Sequence, residues 1–211
     1  MFNFDKNPFI HELKVKTSGS VLIDILQTIV LALGFSLFIY LVFLIPSQVE
    51  GPSMEPNFYN RELLFADRTV QWIGSTSIGA GVYDYKKGDV VIFDFNGINL
   101  IKRIVATEGD TIRISDSKVF VNDKQISEPY LPDGRETLIP DPSKATINED
   151  ETVEVPENSF FLMGDNRPIS KDSRYEDVGF VTRNKLKGRV FLRYWPIDKF
   201  GVIRSGEASQ T

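Results

Sequence analysis

Hydrophobic positions along this chain follow two regimes. From Ile25 to Ile45 the residues read ILQTIVLALGFSLFIYLVFLI without a charge, and at about 1.5 Å per residue a helix of that length crosses roughly 30 Å of hydrocarbon. The pattern predicts a transmembrane helix over 21–45, preceded by a short segment, 1–20, and followed by a single domain, 46–211. A cleaved secretory signal would carry an apolar core of about 7 to 15 residues with small residues after it. Pro46, Ser47, Gln48, Val49 and Glu50 follow instead, which fits an uncleaved anchor. Past the block, helical periodicity is scarce and short runs rich in Val, Ile, Phe and Thr recur between turn residues. Strands are expected at Leu63–Ala66, Asp89–Phe95, Leu100–Val105, Thr111–Ser115, Lys118–Val121, Phe160–Met163 and Leu186–Trp195. Asn96-Gly97 and Asn122-Asp123 mark tight turns between neighbouring strands. The proline-rich, acidic stretch 127–156 reads as a surface insertion. The fold class is therefore mostly β: one N-terminal transmembrane helix, then an antiparallel sheet or barrel-like domain.

Charge orients the span. Lys6, Lys14 and Lys16 precede it, softened by Asp5, Glu12 and Asp24, while Glu50 and Glu55 are the first charges after it. The positive-inside rule then puts the N-terminus in the cytoplasm and everything after Pro46 on the extracytoplasmic face, of either the plasma membrane or an internal, thylakoid-type one. The 24 Lys and Arg are scattered and the formal net charge is −5, so there is no basic stripe for a nucleic acid.

Two absences narrow the chemistry. The chain has no cysteine and one histidine, His11, which lies before the apolar block. Thiolate catalysis, disulfides and Cys- or His-based metal sites fall away, and a Ser-His-Asp triad would rest on His11 alone. Asp165, Asn166 and Asp172 lack calcium-loop spacing, with Arg167 intruding. No metal or other cofactor is called for.

Serine hydrolysis without histidine needs a lysine that is neutral at the working pH, hence one buried among apolar groups. Past the span, Lys102 stands apart: in Ile98-Asn99-Leu100-Ile101-Lys102-Arg103-Ile104-Val105, alternation puts Leu100, Lys102 and Ile104 on one strand face. By pattern alone, an edge-strand lysine that snorkels is the commoner explanation. A nucleophile is offered by Gly51-Pro52-Ser53-Met54-Glu55-Pro56. Gly51 and Pro52 fix the approach and Pro56 forces Glu55 towards an extended form, so that Ser53 can present both its hydroxyl and its own N–H. A proline-containing linker after a membrane helix is again the commoner reason for such a run. Phe161 to Arg174 forms a third feature, a strand opening into a dense polar loop. There Asp172 can pair with Arg174, and Ser170 can reach a buried amine.

Taken together, these residues resemble the type I signal peptidases, membrane-bound serine/lysine enzymes that remove signal peptides from exported proteins. The segments carrying the resemblance are Gly51 to Pro56, Gly88 to Phe93, Lys102 to Val105 with Gly109-Asp110, and Gly164 to Arg167 with Ser170 to Arg174. The resemblance implies an extracytoplasmic β-sheet peptidase domain with Ser53 as nucleophile and neutral Lys102 as general base. It further implies that Ser170 orients the amine and that Asp172 and Arg174 form a structural pair beneath it. The implied partners are signal-peptide-bearing precursors, bound extended with small residues one and three positions before the cut, and the lipid bilayer. Met54, Leu100 and Ile101 fall where pocket residues would lie.

There are departures from the family pattern. Gly51 stands where some relatives carry a hydroxyl that donates to the oxyanion, Asn57 where threonine is usual, and Ala106-Thr107-Glu108 precedes Gly109. The stretch Trp72 to Tyr85 is long, and its Trp72-Ile73 could touch lipid headgroups. A peptide-binding domain without activity would show the loss of Ser53 or Lys102. A self-cleaving repressor of the same chemistry would need a DNA-binding region where this chain has its apolar block.

Overall fold

The computed structural model describes residues 18–76, 79 and 82–206; His11, Lys6, Lys14 and Lys16 lie outside them. The chain divides into two units, Met1–Leu41 and Val42–Thr211. Helix α1 (Ser18–Phe43) takes in most of the uncharged block. Its Val21–Phe43 stretch is long and apolar enough to cross a membrane, and none of that stretch is buried within the protein. The helix stops at Phe43, short of the expected Ile45. Pro46 has no N–H for a further helical turn and disfavours helical backbone at Ile45, so Leu44 and Ile45 open strand β1 (Leu44–Gln48).

The second unit continues with β2 (Leu63–Asp67), α2 (Thr69–Ile73), β3 (Val90–Phe95), β4 (Ile98–Thr107), β5 (Thr111–Ser115), β6 (Lys118–Val121), β7 (Lys124–Gln125), β8 (Val153–Glu154), β9 (Ser159–Met163), β10 (Val181–Thr182), β11 (Leu186–Trp195) and β12 (Gly201–Val202). Every pairing among them is antiparallel. An eight-stranded sheet runs β1-β2-β11-β3-β4-β9-β10 with β12 on β11, and a four-stranded sheet runs β7-β6-β5-β8. The mostly β, antiparallel expectation holds. The two expected turns have both central residues left-handed: Asn96 and Gly97 at φ 53 and 82, Asn122 and Asp123 at φ 53 and 60. This suits the twist of a two-residue hairpin.

Strand alternation sorts the core. In β3, Val91 and Phe93 join Leu162, Ile104 and Val70 in one cluster, while Val90 and Ile92 join Met54, Phe58, Leu64 and Ile101 in another. A register shift in β4 between Ile104 and Ala106 turns Val105 and Ala106 to a third cluster shared with Ile112, Ile114 and Phe161. Each such fully buried side chain contributes on the order of 2 kcal/mol. The stretch 127–156, expected on the surface, also sends Tyr130, Thr137, Ile147 and Val155 inside, because Ile147 and Val155 close the third cluster.

Candidate active site

The nucleophile candidate sits on a wound segment just past β1. The Val49 N–H donates to Glu62 O at 2.9 Å and the Arg61 N–H to Val49 O at 2.9 Å, clamping the base of the loop. Gly51 adopts φ +76, a left-handed conformation that costs glycine nothing. From there the chain turns rather than extends. The Glu55 N–H donates to Pro52 O at 3.1 Å and the Phe58 N–H to Met54 O at 3.0 Å, and Met54 and Phe58 are buried in the cluster behind.

Lys102 reaches this segment from β4. Its Nζ donates to Ser53 Oγ at 2.8 Å and to Ile101 O at 3.0 Å. The side chain is 3% exposed, so Lys102 is no solvated edge lysine. It shares a strand face with Leu100 and Ile104, both packed on the first cluster. Burial pushes its amine down from 10.5 to about 8, with Asp172 and Asp165 pulling it back up and Arg174 helping to lower it.

The loop after β9 closes the site. Arg103 pairs with Met163, so the antiparallel register brings Gly164 level with Lys102. A side chain at 164 has no room, since a Cβ would lie 2.1 Å from Ser170 Oγ and 2.5 Å from Ser53 O. Asn166 holds the nucleophile segment from this side, its N–H donating to Ser53 O at 3.0 Å and its Nδ2 to Pro52 O at 3.1 Å. Ser170 Oγ is buried and makes no hydrogen bond among the described residues, with Lys102 or otherwise. Among these residues the Ser53 N–H likewise donates to no backbone carbonyl, which leaves it open to an incoming oxygen.

Beneath the loop lie buried ion pairs. Arg174 meets Asp172 through Nε at 2.8 Å and Nη2 at 2.9 Å, and Asp172 also accepts from the Gly164 N–H at 3.0 Å. Sequence reading missed the rest. Arg103 grips Asp165 at 2.9 and 2.7 Å, Asn57 donates to the same carboxylate at 2.8 Å, and Arg167 reaches Glu128 at 3.2 Å and Gly164 O at 3.2 Å. Asn57 therefore joins the support of the site. The one available signal was the crowding of charge in Gly164-Asp165-Asn166-Arg167.

A cleft of about 390 Å³ opens beside the nucleophile segment, lined by Pro46, Ser47 and Gln48 of β1, Glu50, and Ile98 and Ile101 of β4. β1 ends the sheet and β4 pairs with β9 only from Arg103 onward, so two unpaired backbone edges face this space. Of the three expected pocket residues, Ile101 lines it. Met54 is 1% exposed and serves the core, and Leu100 packs on the first cluster, across the sheet from Ile101.

The sequence model of the signal peptidase family, peptidase S26, matches residues 22–195. Signal peptidase I S of Bacillus subtilis (strain 168) is 31% identical over 173 residues, which cover 82% of this chain and 89% of that protein. Signal peptidase I of Bacillus amyloliquefaciens is 31% identical over 188 residues, covering 88% and 95%. A crystal structure of a signal peptidase I from Enterococcus faecalis V583 is 27% identical, with a TM-score of 0.40, and covers 50% of this chain and 96% of that one. With the family model running from the membrane-spanning helix to the end of the long strand β11, the chain belongs to the signal peptidases of family S26.

Proposed function

We propose that this protein is a membrane-anchored serine endopeptidase that removes N-terminal signal peptides from exported precursors, with Ser53 as nucleophile and Lys102 as general base. The observation that carries the reading is the 2.8 Å contact between Lys102 Nζ and Ser53 Oγ at an amine whose pKa burial holds near 8. At pH 7 about one amine in ten is then neutral, against roughly one in 10³ to 10⁴ for a solvated lysine. The neutral amine accepts the Ser53 proton as Oγ bonds to the scissile carbonyl carbon, and the Ser53 N–H donates to the resulting oxyanion. Collapse of this intermediate expels the new N-terminal amine, which takes its proton from the Lys102 ammonium. Water then attacks the acyl-enzyme with Lys102 again as base, releasing the signal peptide and regenerating Ser53.

The Asp172–Arg174 pair supports the dyad rather than reacts, and Gly164 leaves the room that both Ser170 Oγ and Ser53 O occupy beside it. An extended substrate adds as a strand between β1 and the free start of β4, with Ile101 on the pocket wall. The N-terminus is cytoplasmic and the catalytic unit extracytoplasmic, from the lysines that precede the span.

The test is cleavage of a precursor by the detergent-solubilised enzyme beside its Ser53→Ala and Lys102→Ala variants. Cutting after a small residue, lost in both variants, is expected. Cutting that survives either change would move the site elsewhere.

A further inference from the structure

Helix α2 presents two sides of opposite character. Val70 is fully buried in the first core cluster, while Trp72 and Ile73 are 46% and 43% exposed. The mount is firm: the Thr69 N–H donates to Asp67 Oδ1 at 2.8 Å and Gln71 Nε2 donates to Arg183 O at 3.0 Å. A five-residue helix held this tightly has no folding reason to turn a tryptophan and an isoleucine outward.

Its position supplies one. The Arg68 N–H donates to Phe43 O at 2.9 Å, and Phe43 is the last residue of the membrane-spanning stretch. Register fixes the same neighbourhood, since Leu44 pairs with Asp67. Trp72 is four residues past Arg68, roughly 6 Å along a helix, and the interfacial zone outside the hydrocarbon is about 5 to 8 Å deep on each side. Tryptophan favours that zone because its ring is apolar and its N–H still finds a partner there.

We propose that α2 is a second membrane contact, with Trp72 and Ile73 seated in the headgroup region of the bilayer that α1 crosses. The proposal rests on α1 being the span, and both can be tested in one preparation. The chain has 2 tryptophans, and the other, Trp195, pairs with Leu63 at the far end of β2. Trp195→Phe at this exposed position therefore isolates the Trp72 signal. The full-length variant is reconstituted into phosphatidylcholine vesicles carrying a lipid brominated high on its acyl chains, then washed with alkaline carbonate.

Retention after the wash reports α1. In the retained protein, Trp72 emission is expected to be blue-shifted, to lose most of its intensity to the bromolipid, and to resist iodide added to the water. A red-shifted emission that iodide quenches and bromolipid does not would overturn the proposal while leaving the span intact. A blue-shifted emission insensitive to both quenchers would also overturn it, by showing that protein covers Trp72. Release of the protein by the wash would overturn the span and with it this contact.

Discussion

Lys102→Met separates the role proposed for the buried amine in catalysis from what the amine costs the fold. In the folded protein the amine titrates near 8 rather than 10.5, and at about 1.4 kcal/mol per pH unit that difference is about 3 kcal/mol. Below the folded value the ammonium is destabilising by the whole amount. Between about 8 and 10.5 the folded protein has shed a proton that the unfolded chain still binds, so stability rises with pH. Above 10.5 both states are neutral and the penalty is gone. Methionine fills similar space without a charge, but forfeits the hydrogen bonds to Ser53 Oγ and Ile101 O, worth about 1 kcal/mol each. The variant should be inactive, and at pH 7 it should be more stable than the parent by about 1 to 2 kcal/mol, reversing to less stable by a similar amount near pH 11. Denaturant unfolding in detergent, followed by circular dichroism at both pH values, measures this. A difference between the two proteins that does not change with pH would refute the buried, depressed amine.

The remaining predictions concern the same network. The kcat/KM for precursor cleavage should climb with pH and level off above about 8 as Lys102 loses its proton; a profile flat from pH 6 to 9 would exclude Lys102 as the base. Lys102→Arg should be inactive in the same assay, since guanidinium keeps its proton. Gly164→Ala would drive a Cβ to 2.1 Å from Ser170 Oγ and 2.5 Å from Ser53 O. It should cost about 1 to 3 kcal/mol by thermal unfolding and about 10²-fold in kcat. Asp172→Asn leaves the buried Arg174 without its carboxylate and should cost about 3 to 5 kcal/mol in unfolding experiments. Because the Asp172 charge raises the Lys102 pKa, the acid limb of the rate profile in any folded Asp172→Asn enzyme should move to lower pH.

Features written in local sequence were legible. The apolar block, the long strands and the two hairpin turns each repeat a period or a turn chemistry within a few residues, and the apolar flanks of Lys102 announced a dry site. Elements too short to show a period were not. β7, β8, β10 and β12 are two residues each and exist only because a neighbour pairs with them. β1 was absorbed into the span, since Leu44 and Ile45 are as apolar as a membrane helix and Pro46 alone signals the change. The ion pairs of the site were hidden by distance: Arg103 and Asp165 are 62 positions apart, Arg167 and Glu128 39, and an arginine in sequence reads as surface. Leu100 and Ile101 were both expected at substrate pockets; as adjacent strand residues they face opposite ways, and of the two Ile101 lines the cleft.

An open strand edge is ordinarily a hazard, a template on which other chains can stack. β1 carries one at the border of its sheet, and proline stands in its middle, at Pro46. With no N–H at that position, a visiting chain cannot zip along the whole of β1. The ladder it can build breaks there, and the donor that remains on the outward side is the N–H of Gln48, since the Val49 N–H turns to Glu62 O and that of Ser47 shares its side. The edge thus admits a brief guest and refuses a permanent one, and it favours the guest whose carbonyls lie closest to Ser53, the proposed nucleophile.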